Sequence, residues 1–198
     1  MKVPVNHDDP SSQKEYFEYL GTITLKGKLY RRYYLYPRIN KYSIGKTLDF
    51  GCGLGDFISY RKNTLGVDIN PFCIDYCKEK NLNVRLVKDP PYPFDDEQFD
   101  SIFLDNILEH IEDPNDLLSE INRMLKPEGR FIVGVPSIKG FKMHADHKRY
   151  YDKETLIAKL SEFKFSLYHC FYTPFEWKYF EEHLTAYCLY AVFMKNTV

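Results

Sequence analysis

Thr47-Leu48-Asp49-Phe50-Gly51-Cys52-Gly53-Leu54-Gly55 is a short apolar run that ends in an acid and runs into three alternating glycines. This order predicts a strand, a tight turn and then a helix, with no side chain on the turn to keep a ligand from the backbone. A nucleotide-like molecule can lie there. Glycines also serve simply to pack a strand on a helix, so the next strand decides between the two readings. That strand, Thr64 to Asp68, again ends in an acid. A carboxylate at the carboxyl end of the second strand can accept hydrogen bonds from both hydroxyls of a ribose. The alternative for Asp68 is a loop or helix-capping role, but its position after a glycine turn favours the ribose.

The turn also discriminates among nucleotide ligands. A dinucleotide fingerprint beginning at Gly51 requires glycine where Asp56 stands, and the chain has no GxxxxGK[ST] phosphate loop. Asp49 adds negative charge beside the glycines, which suits a cationic ligand better than a pyrophosphate.

Outward from this stretch, short β-branched or apolar runs alternate with helical patterns from Lys46 onward, the mark of βαβ units and a parallel sheet. Strands are expected near Thr47 to Phe50, Thr64 to Asp68, Asn83 to Val87, Ser101 to Leu104 and Arg130 to Val135. Asn70-Pro71 and Asp113-Pro114 each place a capping side chain before a proline at the first helical position. The second of these helices should bury Leu117, Leu118, Ile121 and Leu125 and stop at Lys126-Pro127-Glu128-Gly129. A further helix is expected after Asp152. Phe165 to Tyr172 and Thr185 to Met194 then read as an antiparallel hairpin around a Pro174 loop. The fold expected is α/β, a doubly wound, Rossmann-like, seven-stranded sheet, mainly parallel with an antiparallel C-terminal hairpin. Residues 1–45 break the alternation and form an N-terminal cap segment ahead of a domain at 46–198. The basic, tyrosine-rich run Lys28 to Tyr36 reads as an amphipathic helix with a solvated basic side, or as a cover that meets an anionic acceptor.

With 27 Lys plus Arg against 28 Asp plus Glu in 198 residues, no whole-molecule field draws the chain to nucleic acid or anionic membrane. The five cysteines form no CxxC pair and read as free thiols of a reducing cytoplasm. Met1 to Pro10 lacks the apolar run of a signal peptide, and Leu184 to Met194 is too short to span a bilayer as a helix. A cytoplasmic protein without an integral membrane segment is expected.

Taken together, these segments resemble the class I S-adenosylmethionine-dependent methyltransferases, in the branch that modifies small molecules, lipids and glycans. Leu48 to Gly55 is similar to its cofactor loop, Gly66-Val67-Asp68-Ile69-Asn70-Pro71 to its ribose strand, and Phe99-Asp100-Ser101-Ile102 to the opening of its fourth strand. Asn106 to Pro114 and Leu125 to Arg130 resemble its post-strand helix and turn. The likeness covers residues 46–136. It implies S-adenosylmethionine as cofactor, with Asp49, Gly51, Cys52 and Gly53 along the methionine part, Asp68 on the ribose, Ile69 on one adenine face, Asp89 near the adenine edge, and Asn106 in the same site. Asp89 precedes Pro90-Pro91 where the family has small residues, and the stretch from Gly51 to Asp68 is short, so the first helix has lost about a turn.

Methyl transfer is an in-line displacement, for which a dry, shaped site at near-attack distance supplies most of the catalysis. A base is needed only when the acceptor must lose a proton, and histidine suits that task near neutral pH. His110, His144 and His147 lie in segments that reach the carboxyl edge of the sheet, where such folds bind ligands. His147, Arg149 and Tyr151 resemble the family's His-x-Arg-x-aromatic segment at the acceptor pocket, and His144 adjoins it. His147 is the favoured base and His110 the second candidate, against the plainer readings of a charged surface loop and a helix-packing residue. His144-x-Asp146-His147 shows no further histidine or cysteine nearby, so no metal is expected. The activity expected is O-methylation of a small molecule or a sugar unit of a glycan. The rivals are an NAD-dependent oxidoreductase and a non-catalytic binding module on the same fold.

Overall fold

The computed structural model describes residues 9–177, 179 and 182–197. The first eight residues of the expected 1–45 segment, and with them most of the Met1 to Pro10 stretch, lie outside the described residues.

Seven strands form one sheet: β1 (Thr47–Phe50), β2 (Thr64–Asp68), β3 (Val84–Leu86), β4 (Phe99–Asp105), β5 (Leu125–Pro136), β6 (Phe165–Thr173) and β7 (Cys188–Lys195), in the order β3-β2-β1-β4-β5-β7-β6. β1 runs parallel to β2 and β4, β2 to β3, and β4 to β5, while β7 is antiparallel to both β5 and β6. Every residue of β1 and β2 is buried, as expected of parallel strands covered on both faces. The strand order reverses between β1 and β4, which opens a crevice at their carboxyl ends, where Asp49 and Asp105 stand.

One face of the sheet is covered by α6 (Asn115–Met124) and α8 (Lys153–Ser161), which bury Leu117, Leu118, Ile121, Met124, Leu156 and Leu160. Asp152 caps α8 through the Thr155 amide at 2.8 Å. The sequence places Pro114 at the first turn of α6, but the helix starts at Asn115, with the Asp113 carboxylate accepting from the Asn115 amide at 3.1 Å. Leu125, expected on the helical face, is extended at φ −84 and ψ 135 and pairs with Phe99. Met124 takes its place in the core. Leu118 is fully buried, so Leu118→Ala should lower stability by about 2–5 kcal/mol in urea unfolding; a change below 0.5 kcal/mol would mean the cavity collapses freely.

The opposite face carries α4 (Asp56–Tyr60), the shortened first crossover helix, and the amino-terminal helices α1 (Pro10–Gly21), α2 (Leu25–Tyr30) and α3 (Tyr36–Tyr42), with a π-helical turn at Arg31–Leu35. The basic run is thus broken into short pieces, not one amphipathic helix. Leu35, Tyr36 and Ile39 pack on Phe57, Phe103, Ile132, Tyr190 and Val192. Lys26, Lys28, Arg32 and Arg38 stay exposed, whereas Arg31 turns inward to Asp105. Between β2 and β3, α5 (Pro71–Glu79) begins where the sequence places it, with the Asn70 side-chain oxygen accepting from the Phe72 and Cys73 amides. The remaining helix, α7 (Ile138–Lys142), follows β5 at the carboxyl edge. Among the described residues no helix is long and apolar enough to cross a membrane.

Candidate active site

Gly51 and Gly53 adopt φ of 77° and 51°, a left-handed backbone that a side chain would strain. The Gly51 and Cys52 amides both donate to the Val67 carbonyl, at 2.8 and 2.9 Å, and hold the turn against β2. Asp68 then ties three segments together. One of its oxygens accepts from the Gly53 amide at 2.8 Å and the other from the Asn70 amide at 2.9 Å. The Asn70 side-chain amide donates to the Gln13 carbonyl of α1 at 2.8 Å. α1 consequently lies over this corner, its Phe17 ring against Phe72 and Tyr76. A Cβ at Gly53 would meet Leu20 of α1 at 3.4 Å, and one at Gly51 would run into Ile107. Burial pushes the Tyr16 phenol up, and the Asp68 carboxylate adds to the effect.

Three acids converge at the carboxyl ends of β1, β2 and β4. Asp49 is 4% exposed, and its carboxyl is pushed well up, first by burial and then by Asp105 and Asp68; Arg31 opposes the shift. Asp105 is held by the Tyr190 hydroxyl and the Asn106 side-chain amide, both at 2.8 Å, and lies 3.8 Å from the Arg31 guanidinium. A group of carboxylates against one guanidinium is short of positive charge, and a ligand cation placed among them is favoured by every one of the acids. The donor set therefore fits a sulfonium and an ammonium, the two cationic centres of S-adenosylmethionine.

The remaining cofactor candidates divide. Ile69 is half-buried directly after β2, and Asp89 is exposed in the loop after β3. Asp89 and Glu120 add to the burial that pushes the Tyr92 phenol up to about 12, and Tyr92 packs edge-on to Phe50 at 4.9 Å between centroids. The Cys52 side chain turns away from the turn toward Gly66, where an added Cβ would meet its sulfur at 2.9 Å. Asn106 faces Asp105 and Cys188.

A second cluster lies on the same edge. Leu108–His110 forms a 3-10 turn after β4, and the loop after α7 brings His144, Asp146 and His147 to it. The Glu109 carbonyl accepts from the Lys148 and Arg149 amides at 2.7 and 3.1 Å, pinning loop to turn. His110 Nδ1 stands 2.9 Å from an Asp146 carboxylate oxygen. His147 Nδ1 is 2.8 Å from the Phe141 carbonyl, so it must donate, and the lone pair is left on Nε2, 4.0 Å from a Glu109 oxygen. The His147 ring centroid is 4.6 Å from that of His110 and 4.9 Å from that of His144. Glu109 is 1% exposed, and neither carboxylate oxygen makes a hydrogen bond of good geometry among the described residues. Burial pushes its carboxyl up to about 8, with Asp105 and Asp146 adding to the effect. Burial also lowers the His147 imidazole.

The structure thus joins Asp49, Gly51, Gly53 and Asp68 in one corner and the three histidines in another. Arg149 is exposed with its guanidinium 5.5 Å from the Tyr151 ring, while Tyr151 itself is 2% exposed and packs in the core. Sequence reading passed over Asp105, Glu109, Arg31 and Tyr16. The signal for the first two is their place at the carboxyl end of β4 and in the turn that follows it; Arg31 and Tyr16 carry none that separates them from their neighbours. Volume does not find the site, since a cavity of about 400 Å³ lies at the opposite end of β4 and β5, lined by Ile44, Asp100, Lys126 and Arg130.

Residues 48–133 match the family model of the methyltransferase domain. An uncharacterized protein of Methanocaldococcus jannaschii is 31% identical over 121 residues, covering 58% of this chain and 59% of that protein. The mitochondrial ubiquinone biosynthesis O-methyltransferase of Schizosaccharomyces pombe is 32% identical over 114 residues, covering 50% of this chain and 40% of that enzyme. A crystal structure of an S-adenosylmethionine-dependent methyltransferase from Archaeoglobus fulgidus superposes with a TM-score of 0.70 at 21% identity, covering 91% of this chain and 99% of that one. The chain spans 29% to 59% of the length of the curated relatives it matches. Residues 48–133 thus carry a methyltransferase domain, and the sheet order is that of the Rossmann-like methyltransferase fold.

Proposed function

We propose that the protein transfers the methyl group of S-adenosylmethionine to a hydroxyl of a small molecule or of a sugar unit carried on a glycan. The observation that carries the reading is the pairing, on one sheet edge, of an acid-rich glycine turn with a histidine cluster. When bound, S-adenosylmethionine supplies a methyl group activated on a sulfonium. Asp49 and Asp105 supply the negative field for its cationic part, Gly51 and Gly53 let it approach the backbone, Asp68 binds the ribose hydroxyls, and Ile69 covers an adenine face. α1 and Ile107 close over this corner and exclude water. On the acceptor side, His110 receives the hydroxyl with Asp146 fixing its ring, His147 packs against that ring with its own Nδ1 on the Phe141 carbonyl, and His144 and Arg149 border the acceptor. The O-methyltransferase name of the fission-yeast relative supports oxygen as the methylated atom.

Calorimetric titration with S-adenosylmethionine, S-adenosylhomocysteine and NAD tests the class. Binding of the first two is expected; binding of NAD alone would make the protein an oxidoreductase, and binding of none a non-catalytic module. Methyl-labelled cofactor added to an extract then identifies the acceptor by its labelled product. Asp68 also holds the Gly53 and Asn70 amides, one on each oxygen, so Asp68→Asn, which keeps one acceptor oxygen and removes the charge, is measured beside a thermal melt. It should weaken S-adenosylhomocysteine binding by about 1.5–3 kcal/mol. Unchanged affinity in the folded variant would remove Asp68 from the ribose site.

A further inference from the structure

Glu109 has no place in the methyl-transfer reading, and its surroundings ask for one. Ionising a carboxyl group that is 1% exposed with neither oxygen well bonded is costly unless a cation stands against it. No lysine or arginine forms an ion pair with it among the described residues, and its ion-pair neighbour is the His147 ring at 4.0 Å. One ligand-type atom from each of Glu109, His110 and His147 falls within 4.8 Å of the others, and the same holds for His144, Asp146 and His147. The two histidines are also dressed as metal ligands are. His147 donates from Nδ1 to the Phe141 carbonyl and turns Nε2 toward Glu109, and His110 rests one nitrogen on the Asp146 carboxylate. A carbonyl or carboxylate behind the ring is the arrangement that fixes the tautomer and raises the basicity of a coordinating imidazole.

We infer that Glu109, His110 and His147 bind a divalent transition-metal ion, with His144 able to complete the site. Two imidazoles and one carboxylate suit zinc, cobalt, manganese or iron in the divalent state and leave positions open for an exogenous oxygen. The ion's role rests on the methyltransferase reading: it would hold the acceptor oxygen and draw electron density from it, and the histidines would serve it as ligands. The binding itself does not depend on that reading.

The test uses the full chain, stripped of metal with a chelator and dialysed, and titrated with zinc chloride by calorimetry and with cobalt chloride by visible absorption. One equivalent should bind at micromolar or lower concentration, and cobalt should show the intense bands of a four- or five-coordinate site with nitrogen ligands. Glu109→Gln and His147→Ala should each weaken binding at least 10-fold, and Asp146→Asn, which alters the carboxylate behind the His110 ring, by about 10- to 100-fold. Each variant is compared at matched thermal melting, and Asp146→Asn carries the test where Glu109→Gln fails to fold. No binding at 100-fold excess of either ion over protein, or stoichiometric binding that survives both His147→Ala and Asp146→Asn, would overturn the site. S-adenosylhomocysteine binding, measured on the same samples, separates the two readings, since it can hold where metal binding fails and fail where metal binding holds.

Discussion

Gly53→Val should abolish detectable S-adenosylhomocysteine binding, a loss of more than about 100-fold or ~2.8 kcal/mol. Two effects act together. At φ 51° the backbone of residue 53 is left-handed, which costs a side-chain-bearing residue about 1–2 kcal/mol. The added Cβ also points to Leu20 of α1 at 3.4 Å, so valine's two further methyl groups fill the space between the turn and its cover. The Gly53 amide is one of the two that hold Asp68, so any shift of the turn is passed to the ribose carboxylate. The control must be chosen on space. Gly129 lies near the start of β5, at the other end of the sheet from the glycine turn, but a Cβ there meets the Lys126 carbonyl at 2.7 Å, so its replacement tests the fold. Gly21 has nothing within 4 Å, and Gly21→Ala should leave binding unchanged. Calorimetry beside a thermal melt decides the matter: tight binding by a folded Gly53→Val protein would make the turn structural and move the cofactor elsewhere.

What the sequence discloses about this site is what is local in the chain. The strand ending in Asp49, the positive-φ glycines and the acid closing β2 are adjacent residues whose chemistry depends on the turn they form, so they can be read without a partner. The caps at Asn70 and Asp152 are legible for the same reason. Leu125 fails because an apolar residue at helical spacing satisfies a strand equally well, and pairing with Phe99 decides it. Glu109 fails differently. It looks ordinary in its own segment, a helix-face acid, and acquires meaning when β5 and α7 carry the His147 loop back to the turn after β4. α1 and Arg31 are opaque for a related reason: helical periodicity marks an apolar face but not the surface it will cover. That α1 settles over Gly53 and Asn70, and that Arg31 alone of a basic run turns to Asp105, depends on contacts across the whole fold.

The same geometry changes which histidine matters most. From the sequence His147 is the better candidate because its loop is free to meet a substrate; in the structure its side chain is 5% exposed, with Nδ1 on the Phe141 carbonyl and Nε2 toward Glu109. His110 is 28% exposed and rests Nδ1 on Asp146, which sets the ring to present its other nitrogen to the acceptor side, to an incoming hydroxyl directly or to the ion that would hold it. His110→Ala should therefore lower turnover by about 10²-fold or more and leave S-adenosylhomocysteine affinity within about 2-fold, because the cofactor corner is built by other residues. His110→Gln, which restores a polar side chain of similar reach without an imidazole, should recover little. Asp146→Asn should fall between wild type and His110→Ala if Asp146 acts by orienting the ring. The loss should appear in kcat rather than KM, since the contact strengthens as the acceptor oxygen attacks. With the true acceptor in hand, equal turnover of wild type and His110→Ala would exclude the ring from the reaction, and full rescue by His110→Gln would reduce it to a hydrogen-bonding spacer.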